Sequence, residues 1–367
     1  MKTETQYSLK VIEPLHLKEL QQLLSLESHE LFEYLGGPTL LIIRGRRREP
    51  LVVSCLLHGN EPAGWRVCRQ VLQEALDEAG EQDEMLPRSF FCFIGNVEAA
   101  AKGQRRLAEG RDFNRIWGGR FDEASNMAGD VLEHLQSQPL FATVDIHNTT
   151  GKNPPYSCVT SLDDQHAVLA YKFSALGVFA DQHMGRFTEA LCGLAPSITI
   201  ECDTPESQEG TLRAFRLVKA LLDAEQIHDV TNSAGAFEVS ESFATVQVST
   251  DASIAFAAQP FIAQDVDICF RADFEDFNFK TLPKDTLIGS VTEKGWSRIK
   301  VIGKDGTDLS ASFFKNENGQ LYSASDWVPQ MITPEPDIIH QDCLCYILRP
   351  LDDDKKRTRR SWLFDFD

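Results

Sequence analysis

Between residues 39 and 228 the chain alternates short continuous apolar runs with longer amphipathic ones. TLLIIRG, LVVSCLL, SFFCFIGN, LFATVDIHN and APSITIECD have the composition of short strands, and the unbroken apolar run of LVVSCLL marks a strand buried on both faces. PAGWRVCRQVLQEALDEAG, ASNMAGDVLEHLQSQ, DDQHAVLAYKFSAL and QEGTLRAFRLVKALLDAEQI follow four of them and carry apolar residues at helical spacing. This order predicts an α/β fold with a mixed, mostly parallel sheet flanked by helices. HLKELQQLLSLESHELFEYL, residues 16–35, reads as one or two amphipathic helices capping that domain. After about residue 230 the chain turns to short β-prone runs punctuated by Asp, Gly, Asn and Pro, which predicts a second, β-rich C-terminal domain. A length of 367 residues exceeds what one core usually organises. The expected division is an N-terminal helical extension over 1–38, a catalytic domain over 39–230 and the β-rich domain over 231–367.

A net charge of −19 argues against nucleic acid as a partner, because phosphate neutralisation needs a basic face. The basic run KKRTRR at 355–360 follows DDD and reads as local charge compensation. No run approaches the roughly 18 apolar residues that span a bilayer, and the N-terminus lacks a leader pattern, so no membrane partner and a cytoplasmic location are expected. Nine cysteines, an odd number scattered through apolar segments without zinc-finger spacing, read as reduced core thiols. Composition leaves a homo-oligomer open.

Open α/β sheets bind ligands beyond the carboxyl ends of their strands. LVVSCLL ends in His58-Gly59-Asn60-Glu61, and LFATVDIHN ends in Asp145-Ile146-His147. APSITIECD ends in Glu201-Cys202-Asp203, and SFFCFIGN leads into GQRRLAEGRDFNR. Two His and one Glu are a set that holds catalytic zinc and leaves a position for water, and His58, Glu61 and His147 fit it. Asp145 sits two residues before His147, where it either orients the imidazole or lies beside it through strand alternation alone. Glu201 supplies a carboxylate for general acid–base work. Arg105 or Arg106 supplies a donor for negative charge on an attacked carbonyl, and Asn114 with Arg115 suits a substrate carboxylate. The other seven histidines lack partners at ligand spacing.

HGNEPAG, RDFNR, DIHNTTG and TIEC, in that order and spacing, resemble the zinc-dependent succinylglutamate desuccinylase and aspartoacylase family, which is related to the zinc carboxypeptidases. The resemblance covers roughly residues 39–228, and RADFEDFNFKTLPKDTLIG at 271–289 is similar to the family's C-terminal β domain. It implies one zinc ion per chain on His58, Glu61 and His147, Glu201 as general base and acid, and Asn114 with Arg115 on a substrate carboxylate. It places the carbonyl-polarising Arg at Arg106 in preference to Arg105, although Leu107 stands where the family has an aromatic residue. Arg186 is the nearest counterpart of an Arg that grips a distal carboxylate, and Tyr322 of a C-terminal-domain Tyr that reaches the substrate.

The expected activity is zinc-dependent removal of an acyl group from an N-acyl amino acid or related small amide bearing a carboxylate. A carboxypeptidase-type metallopeptidase and a non-catalytic ligand-binding protein on the same fold are the alternatives. The β-rich C-terminal domain favours the deacylase over the peptidase, since in the resembling family it narrows access to the site. The intact His, Glu, His and Glu set speaks against an idle binding protein.

Overall fold

A computed structural model describes residues 7–13, 17–79, 85–180, 184–230, 237–258 and 266–351. KKRTRR, His16 and His183 lie outside the described residues. The chain forms two compact units. One comprises the described chain up to Asn148 and from Pro155 to Glu238, and the other Thr149–Pro154 together with the described residues 239–351.

The first unit is built on the strands β1 (Lys10–Ile12), β2 (Thr39–Ile43), β3 (Arg47–Cys55), β4 (Arg88–Ile94), β5 (Ala142–His147), β6 (Tyr156–Val159), β7 (Leu176–Phe179) and β8 (Ser197–Glu201). Their order across the sheet is β1-β2-β4-β3-β5-β8-β6-β7. The pairs β1/β2, β3/β4, β3/β5, β5/β8 and β6/β7 are parallel, while β2/β4 and β6/β8 are antiparallel. The sheet is therefore mixed and mostly parallel, as the sequence predicts. Every residue of β4, β5 and β8 is buried; β4 is apolar at successive positions from Phe90 to Ile94, whereas β5 and β8 alternate and carry Asp145, His147 and Glu201 as buried polar residues.

Helices cover both faces. Helix Glu123–Gln136 is closed at its start by a capping box in which Asp122 and Ser125 bond each other's backbone. With helix Phe187–Leu191 it packs on the face bearing Leu40, Ile42, Val52, Phe91 and Phe93. By alternation the opposite face carries Val53, Cys55 and Cys92, and there helix Ala63–Ala79 packs on β3 and β5 and against helix Gln208–Asp223. The N-terminal segment forms two helices, Leu17–Leu24 and Leu31–Leu35, whose Leu20, Leu23, Leu24, Leu31 and Leu35 are buried. It also supplies the edge strand β1, too short to show a period. None of the described helices is long and apolar enough to cross a membrane.

The second unit contains a five-stranded sheet spanning Ile254–Ser323 and a further group of strands around Glu238–Val248, with a core that includes Val246, Phe270, Phe274, Leu321, Trp327 and Ile347. Asn278, from the FEDFN segment, organises its interior. The Nδ2 group donates to the carbonyls of Lys152 at 2.8 Å and Ile332 at 3.2 Å, and Oδ1 accepts the Ile332 amide at 2.8 Å.

Candidate metal centre

β3 ends at Cys55, and Leu56 turns the chain with a φ of 55°, a left-handed value costly for a residue with a branched side chain. Backbone bonds fix the turn: the Gly95 amide donates to the Cys55 carbonyl at 3.0 Å and the Asn96 amide to that of Leu56 at 2.6 Å. Asp203, just past β8, is the counterpart with a φ of 65°. Strained backbone at two strand ends flanking one site fits the general placement of such strain at functional positions. Gly59 donates its amide to the Arg105 carbonyl at 3.0 Å, and a Cβ there would overlap the backbone of Ala99 and Ala100. The glycine of HGNE thus seats the loop that carries the arginines.

Within this frame the Glu61 carboxylate lies between two imidazoles. Oε1 is 2.8 Å from His58 Nδ1 and Oε2 is 2.6 Å from His147 Nδ1. The ligand atoms of His58, Glu61 and His147 all fall within 4.8 Å of one another, and all three residues are buried. Each imidazole has its other nitrogen on a carboxylate, His58 Nε2 at 3.1 Å from Asp112 Oδ1 and His147 Nε2 at 2.8 Å from Asp145 Oδ2. Ser54 donates to the second oxygen of Asp145 at 2.6 Å. Nitrogens facing inward and carboxylates behind them form the donor arrangement that orients histidine toward a divalent cation. Charge points the same way. Burial pushes the Glu61 carboxyl up, but the charges of His58 and His147 and their hydrogen bonds hold it below the usual carboxylate range. The residues present therefore fit a metal ion, and two imidazoles with one carboxylate fit zinc.

Strand register brings Glu201 to this centre. His147 on β5 pairs with Glu201 on β8, and Asp145 with Thr199, so the side chains of both pairs share a face. Glu201 is buried, and its Oε2 has no hydrogen-bond partner. Burial raises its pKa; the His147 charge opposes this, those of Glu61 and Asp145 add to it, that of Arg105 opposes it, and the result is about 8.

Of the two arginines in the following loop, Arg105 reaches the centre. It is buried, with Nη1 3.4 Å from Glu61 Oε1 and Nη2 3.7 Å from Asp112 Oδ2. Arg106, preferred on resemblance, instead places Nη1 3.2 Å from the Gly110 carbonyl in its own loop. The amide of Gly59 bonds the Arg105 carbonyl and so ties this part of the loop to HGNE. Asn114 is buried on a 3₁₀ turn capped by Asp112, with Nδ2 3.4 Å from His147 Nε2 and an unpartnered Oδ1. Arg115 Nη1 donates to the Asn114 carbonyl at 2.9 Å.

Arg186 opens helix Phe187–Leu191, and its Nε is 3.8 Å from Glu189 Oε1. It stands next to the Asn114–Arg115 turn, because the Trp117 amide donates to the Gly185 carbonyl at 3.0 Å. Its charge and that of Glu201 both act on the Cys158 thiol, which burial pushes up to about 12. Tyr322 lies in the second unit on strand Gln320–Ser323, with its hydroxyl 2.5 Å from Gln320 Oε1 and Lys315 Nζ 5.5 Å from its ring centroid.

Two residues without an expected role complete the centre. Asp112 backs His58. Asn148, directly after His147, accepts the Ala63 amide on Oδ1 at 3.0 Å and donates from Nδ2 to the Asp203 carbonyl at 3.0 Å. Its own amide donates to Glu61 Oε2 at 3.3 Å. Both stand inside the motifs RDFNR and DIHNTTG, so proximity to Asn114 and His147 was their signal.

The family model described as the succinylglutamate desuccinylase/aspartoacylase catalytic domain matches residues 48–187. No curated protein matches the chain. Among solved structures, a succinylglutamate desuccinylase/aspartoacylase from Rhodobacter sphaeroides is 14% identical with a TM-score of 0.50, covering 84% of this chain and 88% of that one. Murine aminoacylase 3 is 17% identical with a TM-score of 0.50, covering 84% and 96%. A succinylglutamate desuccinylase from Vibrio parahaemolyticus is 12% identical with a TM-score of 0.51, covering 83% and 82%. At these identities the structures speak for a shared fold, while the matched segment holds His58, Glu61, Arg105, Asn114, Arg115 and His147. The match to the model of the succinylglutamate desuccinylase/aspartoacylase catalytic domain thus falls on the segment of this chain, residues 48–187, that carries these side chains.

Proposed function

We propose that the protein is a zinc-dependent amidohydrolase that removes an acyl group from an N-acyl amino acid or related small amide bearing a carboxylate. The catalytic domain spans residues 39–230, and His58, Glu61 and His147 hold one Zn²⁺ per chain. The observation that carries this reading is the register of β5 and β8, which sets Glu201, buried and with an unpartnered oxygen, opposite His147. The names of the similar structures, a desuccinylase and an aminoacylase among them, support an acyl–amide substrate.

A bound zinc ion supplies the charge that acidifies a water and polarises a carbonyl. Glu201 Oε2 takes the proton of the attacking water and returns it to the leaving amine, and a cation held by the neighbouring His58, Glu61 and His147 would favour the ionised carboxylate that a base requires. Arg105, in preference to Arg106, directs its guanidinium at the carbonyl oxygen as negative charge develops there. Asn114 and Arg115 receive the substrate carboxylate, where a planar fork and an amide match its two oxygens, and Arg186 stands beside them for a second anionic group. Asp112 and Asp145 keep the imidazoles oriented.

The test is hydrolysis of a panel of N-acyl amino acids and of peptides with free C-termini by the zinc-loaded protein, alongside elemental analysis. About one zinc per chain is expected from a three-residue site, and His147→Ala should lose most of it. Cleavage confined to peptides would replace the deacylase with a peptidase. Full metal and activity in His147→Ala would end the reading.

A further inference from the structure

Cys55, Cys68 and Cys92 converge in the interior of the first unit. All three are fully buried and free. Cys92 Sγ lies 3.4 Å from Cys68 Sγ and 3.9 Å from Cys55 Sγ, and the three sulfurs all fall within 4.8 Å of one another. A Cβ on Gly64 would come to 2.6 Å from Cys55 Cβ, so the glycine lets helix Ala63–Ala79 settle onto β3. Cys68, one turn along on the same face, then reaches Cys92 across the sheet.

We propose that Cys55, Cys68 and Cys92 form a second metal site, which takes the thiophilic monovalent cation Cu(I) in three-coordinate sulfur ligation. Geometry supports it, since metal–sulfur bonds of about 2.3 Å in a planar triangle set the sulfurs about 4 Å apart, close to the separations seen. Ligand number selects the ion. Structural zinc is almost always four-coordinate, and among the described residues no fourth His, Cys, Asp or Glu joins the group, whereas soft thiolate ligands select Cu(I).

Charge is consistent with that choice. Hydrogen bonding with the Cys55 and Cys68 thiols holds the Cys92 thiol below its ordinary pKa, while burial pushes the Cys55 and Cys68 thiols up. Each thiol that ligates Cu(I) would release its proton to solvent, and the cation would offset part of the negative charge that an apolar interior otherwise excludes. The site is also placed to matter. Cys55 ends β3 three residues before His58, Cys68 is on the helix that follows Glu61, and Cys92 is on the strand that leads to Arg105.

The test is anaerobic titration of the zinc-loaded full chain with Cu(I) delivered from a competing chelator, run on native protein and on protein refolded with Cu(I). One copper per chain beyond the zinc is expected, with thiolate-to-copper charge-transfer absorption and three sulfur neighbours by X-ray absorption. Cys68→Ala and Cys92→Ala should each weaken copper binding at least about a hundredfold, the upper end of what losing even an outer partner costs a metal site, with zinc content unchanged. His147→Ala should keep the copper. Should a cysteine variant not fold, X-ray absorption on the wild type decides. Absence of a second metal equivalent in both preparations, copper without sulfur neighbours, or a Cys68–Cys92 disulfide in place of copper uptake overturns the proposal.

Discussion

Glu201 shows how far a single side chain can be set against the stability of its own fold. Its carboxyl titrates at about 8 when folded and near 4.5 when free, so the folded state holds a proton that the unfolded chain has released. Stability contributed by this group is fully present below about pH 4.5 and is lost as pH rises through about 8. In metal-free protein Glu201→Gln should therefore match the wild type near pH 4.5 and exceed it above pH 8 by a few kcal/mol, as read from denaturant unfolding at both pH values. The same variant with zinc should keep its metal and lose at least about a hundredfold in turnover. A variant no more stable at high pH would show that Glu201 is not buried as described, and near-normal turnover would remove it as the base. The two arginines make the second comparison at this scale. Arg105→Lys should lower kcat/KM by roughly one to three kcal/mol through loss of a guanidinium bond to developing charge, while Arg106→Lys should change it little. Equal losses would mean that the loop and not one side chain carries the effect.

At the scale of elements, the centre depends on three connections being held in register. Asn148 ties the end of β5 to the start of helix Ala63–Ala79, two residues past Glu61, and to the chain two residues past Glu201. Asn148→Ala leaves the Ala63 amide without its partner. It should cost about one to three kcal/mol of stability and weaken zinc binding about ten- to a hundredfold, measured by competition with a chelator. An unchanged zinc affinity would show that backbone bonds alone position Glu61. Much at this scale could be read in advance. Strand and helix periods located β3, β4, β5 and β8 and the helices between them, since fully buried strands and amphipathic helices leave different patterns. β1, β6 and β7 were not located, because strands of three or four residues are too short to show a period.

The whole molecule has two units with separate cores, so two-state unfolding is not expected of it. Metal held by His58, Glu61 and His147 would stabilise the unit that contains them, by mass action on its folded state. Chelation should lower the calorimetric transition of the first unit. Trp65 and Trp117 report the first unit and Trp296 and Trp327 the second, so single-Trp variants can assign the transitions. A first-unit transition unmoved by chelation would show that no metal is held there.

What the sequence determined by itself is the set of side chains that could do chemistry and the strand ends they occupy. HGNE, DIHN and TIEC each stand where an apolar run stops, and local pattern is sufficient to see that. What it did not determine is which neighbour faces inward. Arg105 and Arg106 are adjacent and identical in kind, and which of them meets Glu61 depends on how the loop folds against the strand ends. Likewise Asp112 behind His58, Glu201 opposite His147 and the meeting of three cysteines are contacts between distant segments. Periodicity records which face of its own element a residue occupies, whereas register and close approach between elements exist only after the sheet has formed.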